Sequence, residues 1–151
     1  MFAFPQVDGD ILHGQIQILR ELAGLPRARR PADFARASLR AVGTGYLRFA
    51  QAETGLFRTA FAAPDNVESD VDLAKAGNSG LNPFQLLGAA LDRLVDAGVL
   101  YPERRPGAEY LAWSAVHGLA LLIIDGPLRN LTHTQTDAMG QRLLDMVEKG
   151  L

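Results

Sequence analysis

The chain has 151 residues, a formal net charge of −2 and no cysteine, and 48% of its residues are hydrophobic and 21% charged. This length favours a single domain, residues 1–151, and the absence of cysteine excludes disulfides, thiolate catalysis and cysteine metal sites. A net charge near zero argues against direct nucleic-acid contact by these residues, because phosphate binding needs a concentrated basic surface.

The predicted elements are helices along almost the whole chain, and no stretch alternates as a β-strand does. In chain order, the predicted helices are Asp8–Leu22, Pro31–Thr54, Leu56–Phe61 (a single turn or short helix), Pro83–Ala97, Ala108–Asp125 and Gln135–Lys149. Before the fourth of them, Ala62–Leu81 is interpreted as a mobile acidic loop, and loops of this length often act as lids. The fold class is therefore all-α, a helical bundle of about five to six helices.

Glycines, a capping pattern and a basic run add local detail. Gly43 and Gly45 weaken the second helix by about 1 kcal/mol each relative to alanine, but they allow a neighbouring helix to approach closely. Thr134 followed by Asp137 resembles a capping box at the start of the last helix. The basic run Arg27–Arg30 is interpreted as a solvated loop, with a phosphate contact as the alternative.

The apolar stretches of the chain are short. The longest uncharged one, about residues 111–124, has fewer than the ~18 residues expected of a membrane-spanning helix. Residues 1–5 lack the positive start and the long apolar core of a signal peptide. We therefore expect a cytoplasmic protein that makes no contact with a membrane.

The helix predicted at Ala108–Asp125 is the most apolar element. Trp113 and His117 are four residues apart and share one of its faces. The other face carries four small or aliphatic residues: Ala112, Ala115, Leu119 and Leu122. A helix that is apolar on both faces must be covered on both, and the simplest cover for the second face is another subunit.

Aromatic residues at helical spacing suggest an apolar ligand pocket. Ligand sites are mostly apolar with a few placed polar groups, which Tyr46, Trp113 and His117 could supply. The candidate lining residues are Tyr46, Phe49, Phe57, Phe61, Phe84, Leu87, Leu91, Trp113 and His117. Plain core packing is the alternative. For His117, a hydrogen bond to a backbone carbonyl and a contact with the polar end of a ligand are equally favoured.

The sequence lacks the residue patterns of common catalytic and metal sites. His13, His117 and His133 lie on different elements, without the helical spacing of a bundle metal site. There is no glycine-rich phosphate loop or Gly-x-Ser-x-Gly elbow. Ser114 and His117 lie on one helix and form a poor catalytic dyad. We expect no metal, no cofactor and no enzyme activity; a small helical enzyme acting on a lipophilic substrate is the weakest alternative.

Three segments in a fixed order carry a resemblance to a known family. They are Tyr46–Ala50, Gly55–Phe61 and Trp113–Gly118, the last followed by a leucine-rich stretch that ends at Asp125–Gly126. This pattern resembles the Trp-His-Gly type of C-terminal domain in TetR-like bacterial transcription regulators. The similarity extends over about Asp33–Leu151.

The resemblance implies both a ligand and a partner. Such domains bind a small effector in a helical pocket, here expected to be apolar or aromatic. They dimerise through their last two helices as a four-helix bundle, which predicts a homodimer through Ala108–Asp125 and Gln135–Lys149. The residues expected at the dimer interface are Ala112, Ala115, Leu119, Leu122, Met139, Leu143 and Met146.

The chain also departs from the family pattern. Gly55 replaces a common proline and Ala60 a common methionine. The family's DNA-binding helix-turn-helix precedes the similar region and is not found in these residues, so we expect no direct contact with DNA. A fragment, a truncated reading frame and a protein naturally lacking this part all fit. The alternative to an effector-sensing domain is a stand-alone helical dimerisation module with a filled core.

Overall fold

The computed structural model describes residues 16–24, 30–61 and 83–151. Throughout these ranges the regular elements are helical, which confirms the all-α prediction. The helices are α1 (residues 16–23), α2 (Pro31–Ala52), α3 (Thr54–Phe61), α4 (Pro83–Asp96), α5 (Ala108–Ile124) and α6 (His133–Gly150), with a 3-10 turn at Pro102–Arg104. The predicted loop Ala62–Leu81, most of the basic run Arg27–Arg30 and the first half of the predicted helix Asp8–Leu22 lie outside the described residues.

Helix α2 is the centre of the bundle and contacts α3, α4, α5 and α6. Two of its glycines permit close crossings. A Cβ added at Gly45 would lie 2.6 Å from the Cα of Ile18 in α1, and one added at Gly43 would overlap the side chain of Leu144 in α6. The close approach predicted at both glycines is therefore confirmed: a side chain at position 45 would meet the backbone of Ile18, and one at position 43 would require the Leu144 side chain to move.

The start of α6 corrects one prediction. Thr132 is the N-cap: its hydroxyl accepts from the backbone N–H of Gln135, whose side chain accepts from the backbone N–H of Thr132. The capping box is thus Thr132 with Gln135 rather than Thr134 with Asp137. A glutamine at the third helical position can reach back to the N-cap, so the helix begins two residues earlier than predicted.

The buried side chains form two clusters along α2. The first is mainly aliphatic, with Leu39, Val42 and Leu91 among its members, and joins α2, α4 and the start of α5. The second, with Tyr46 and Phe57 among its members, joins α2, α3, α5 and α6. Trp113 packs against both, so the indole lies where the two halves of the core meet.

Ion pairs connect neighbouring helices at the surface. Arg58 of α3 pairs with Asp125 after α5. Arg105 pairs with Asp92 of α4 and Glu109 of α5, at 2.7 Å in each case. Exposed pairs of this kind contribute little stability individually; these three link α3 to the residue after α5, and α4 to the start of α5. In the described part of the chain, no helix is long and apolar enough to cross a membrane.

Candidate functional site

Four helices bring six ring-bearing side chains together. Tyr46 comes from α2, Phe57 and Phe61 from α3, Phe84 from α4, and Trp113 and His117 from α5. We call these six residues the aromatic cluster. Their placement follows from the sequence locally: Tyr46 lies on the buried side of α2, and the four-residue spacing of Trp113 and His117 keeps both on one side of α5.

A chain of hydrogen bonds runs through the aromatic cluster. The indole Nε1–H of Trp113 donates to the hydroxyl oxygen of Tyr46 at 3.1 Å. The same hydroxyl lies 2.7 Å from Nδ1 of His117. Buried polar groups are normally satisfied in this way, so Tyr46 links two residues of α5 that would otherwise lack a partner on α2.

Burial sets the protonation state of this chain. It raises the pKa of Tyr46 well above 10.0, and the hydrogen bond from Trp113 only partly offsets that rise. Burial also lowers the pKa of His117 below 6.5. Both shifts follow from the cost of placing a charge in apolar surroundings. At neutral pH the site therefore holds a neutral phenol and a neutral imidazole.

The rings surround His117 and Trp113 at ordinary aromatic spacing. The His117 ring lies 5.6 Å from Phe57 and 5.3 Å from Phe61, centroid to centroid. Trp113 lies 6.1 Å from Phe61 and 6.0 Å from Phe84. Tilted and edge-to-face contacts at these distances are the favoured arrangements. The result is an aromatic wall with one short row of polar atoms.

Comparison with known proteins identifies the fold family. A family model described as the tetracyclin repressor-like, C-terminal domain matches residues 39–147, well over half of the chain. The chain belongs to this family. Neither a search of curated proteins nor a search of solved structures finds a match. The matched region of this TetR-like domain contains the whole aromatic cluster, and the resemblance inferred from the sequence is confirmed.

Not every predicted pocket residue joins the aromatic cluster of this TetR-like domain. Phe49 contacts the ring of Phe57 at 5.9 Å but is itself buried in the second core cluster. Leu87 and Leu91 lie in the first, aliphatic cluster. Trp113 packs against this aliphatic cluster as well as against the second one.

The predicted dimer residues fall into three groups by their exposure in the protomer. Ala112 and Leu119 are only 3% and 7% exposed and pack in the core of the protomer, so they offer little surface to a partner. Leu122, Met139 and Met146 are exposed. Ala115 and Leu143 are half-buried, and Leu143 packs against the second core cluster.

One exposed residue was not assigned to the interface from the sequence. Leu111, at the start of α5, is 66% exposed. It lies four residues before Ala115 and eleven before Leu122, which places all three on one side of the helix. The eleven-residue spacing between Leu111 and Leu122 is the sequence feature that predicts a shared face. All five exposed residues of α5 are uncharged: Tyr110, Leu111, Ser114, Leu121 and Leu122.

Within residues 16–24, 30–61 and 83–151, no group of three or more histidine, aspartate or glutamate side chains is arranged to hold a metal ion. His117 faces aromatic rings and the Tyr46 hydroxyl, and His133 is exposed at the start of α6.

Proposed function

We propose that this chain is the small-molecule-sensing and dimerisation domain of a TetR-like transcriptional regulator. Family membership supports the regulator class. The observation that carries the sensing role is the aromatic cluster, because it combines an apolar wall with a short row of oriented polar atoms, the usual composition of a ligand site.

The ligand is a small effector that is apolar or aromatic. The cluster offers the faces and edges of five aromatic residues and one imidazole that burial keeps uncharged at neutral pH. A charged ligand would lose its hydration without gaining a counter-charge there. A neutral ring system loses little hydration and gains contacts with Phe57, Phe61 and Trp113.

The partner is a second copy of the chain. Exposed and half-buried apolar residues of α5 and α6 define what we call the outer face: Leu111, Ala115, Leu122, Met139, Leu143 and Met146. Adjacent helices supply these residues, and exposed apolar surface of this extent is typical of an interaction site. Two such faces related by a two-fold axis would form a four-helix bundle.

Sensing and dimerisation would be coupled through α5. Trp113 and His117 lie on its inner side and Leu111 and Leu122 on its outer side. A ligand held against the indole would favour one position of α5, and the geometry of the paired copies would change with it. Such coupling is a shift between populations, and its size is limited by how differently the ligand binds the two positions.

Two measurements test this proposal. Trp113 is the only tryptophan, so its fluorescence reports directly on the site during titration with neutral aromatic compounds. A ligand at about 100 times its Kd should add ~2.7 kcal/mol to the free energy of unfolding and raise Tm accordingly. Light scattering should give twice the mass of the chain.

For each measurement, one outcome would contradict the proposal. A monomer at micromolar concentration would refute the dimer. No response to any compound, together with a dimer, would instead favour the stand-alone dimerisation module with a filled core.

A further inference from the structure

The direction of each hydrogen bond in the aromatic cluster can be assigned. An indole N–H can only donate, so the Tyr46 oxygen accepts from Trp113 across 3.1 Å. The phenol keeps its own hydrogen, because burial raises the pKa of Tyr46. The atom 2.7 Å from that hydroxyl is Nδ1 of His117. Donation by the phenol to Nδ1 pairs both the phenolic hydrogen and that nitrogen, whereas donation by an Nδ1–H would leave the phenolic hydrogen without an acceptor among the described residues. Because buried polar groups are normally paired, the geometry favours Nδ1 as the acceptor.

This assignment fixes the tautomer of His117. A neutral imidazole carries one hydrogen, and the nitrogen that accepts from Tyr46 cannot carry it. The hydrogen is therefore on Nε2. Among the described residues, no protein acceptor lies within hydrogen-bonding distance of Nε2, although Phe57 and Phe61 pack beside the ring. The chain Trp113 to Tyr46 to His117 thus ends in a donor whose direction is set by the two residues before it.

We propose that the Nε2–H of His117 is the specificity-determining donor of the effector site, and that the effector is an uncharged aromatic or apolar molecule with a carbonyl-type acceptor. This inference rests on the sensing role proposed above and defines the chemistry of its ligand. The Tyr46 oxygen and Nδ1 are both engaged, so a ligand that can only donate finds no acceptor in this row. A carboxylate would need a positive partner, which the neutral imidazole does not provide.

The first test measures the tautomer without any ligand. In protein labelled with 15N-histidine, long-range proton–nitrogen correlation spectra at about pH 7.5 distinguish the two tautomers, since neutral imidazole dominates well above its pKa. We expect Nε2–H for His117 in the wild type and a mixture in Tyr46→Phe, which removes the phenolic donor. An Nδ1–H tautomer in the wild type would overturn the inference while leaving the sensing role intact.

The second test uses three probes of one shape: 2-acetylnaphthalene, 2-isopropylnaphthalene and 2-naphthoate. Kd is measured from the shift of the Trp113 indole 15N–H signal. The quantity of interest is the ratio of the Kd of the hydrocarbon to that of the ketone. We expect this ratio to fall about tenfold from wild type to His117→Phe, as the loss of one net hydrogen bond implies. His133→Gln, on an exposed histidine, should leave it unchanged.

The possible outcomes lead to different conclusions. An equal ratio in wild type and His117→Phe would overturn the inference and retain the pocket. Tighter binding of naphthoate than of the ketone would overturn the neutral class of ligand. No binding of any probe up to its solubility would refute the sensing role itself and the inference with it. If His117→Phe does not fold, Tyr46→Phe keeps the imidazole and should lower the ratio by a smaller factor.

Discussion

The two sides of α5 are similarly hydrophobic, but only one of them is covered by other helices of the same chain. On the inner side, Trp113 and His117 have partners on α2, α3 and α4, and their polar atoms are tied to Tyr46. On the outer side, Leu111 and Leu122 remain exposed, and the exposed residues of this helix are all uncharged. The protomer therefore completes one side of this helix itself and leaves the other for a partner.

This difference has an energetic meaning. Apolar area removed from water is worth roughly 25 cal/mol per Å², and on the inner side the fold of one chain gains that free energy. On the outer side it can be gained only by association. Variants on the inner side should therefore change the stability of each protomer, and variants on the outer side should change assembly.

The largest expected effect is on the inner side. Phe57 is fully buried and contacts the rings of Tyr46, Phe49, Phe61 and His117. Phe57→Ala should lower the free energy of unfolding by about 3–5 kcal/mol, because it leaves a cavity among those rings. Chemical denaturation measures the change. Phe34→Ala, on an exposed phenylalanine of α2, is the control and should change the free energy by less than about 1 kcal/mol.

The second-largest expected effect is on the outer side, where a substitution should weaken the proposed dimer. Leu122→Arg places a charge in the proposed seam, and two-fold symmetry places it there twice. We expect the dimer to weaken by about 2–5 kcal/mol, as for an unpaired buried charge at an interface, with little change in helical content. Light scattering and circular dichroism measure the two quantities. Phe34→Arg adds the same charge to α2 and should leave a dimer; loss of the dimer in both variants would contradict the assignment of the outer face.

Part of this comparison could be predicted from the sequence. The apolar residues of α5 predict that this helix is buried on more than one side, and the four-residue spacing places Trp113 beside His117. The boundary between the two sides could not be predicted, since a helix that is apolar all round contains no polar stripe to fix its orientation. The pattern therefore places Ala112 and Leu119 on the partner's side, whereas both are buried in the core of the protomer.

The sequence also does not predict which residues contact each other when they are far apart in the chain. Gly43 and Gly45 predicted close crossings, but nothing in their spacing identified Leu144 and Ile18 as the side chains crossed. Similarly, Tyr46 was a candidate for the pocket, yet its bond with Trp113 joins residues 67 positions apart. Local periodicity predicts which face is buried, whereas pairing across the bundle depends on the packing of whole helices.

A smaller effect on the free energy of unfolding is expected when the inner side loses the hydroxyl of Tyr46. Tyr46→Phe keeps the ring and removes the hydroxyl, which leaves the indole N–H of Trp113 and Nδ1 of His117 without their partner. We expect a loss of about 1–2 kcal/mol in the free energy of unfolding, near the lower end for unsatisfied groups because both residues are half-buried. Tyr101→Phe, on an exposed tyrosine, should stay within about 0.5 kcal/mol of wild type. An unchanged free energy in both variants would show that the bond chain adds no net stability.

The smallest expected effect is the pH dependence of stability, which comes from His117 on the inner side of α5. The pKa of His117 is lowered by burial in the folded state, so below its unfolded value of 6.5 the unfolded chain binds a proton that the folded chain does not. Stability should therefore be complete above 6.5 and should fall as pH drops from there through the lower folded pKa, with a slope below the limit of about 1.4 kcal/mol per pH unit for one proton. Denaturation at fixed protomer concentration, from about pH 7.5 to about pH 5, measures that slope, which His117→Gln should reduce and His133→Gln should retain. A slope that survives in His117→Gln would place the titrating group elsewhere. A reduced slope would mean that the inner side of α5 responds to protons, whereas the uncharged outer side responds only to the concentration of its partner.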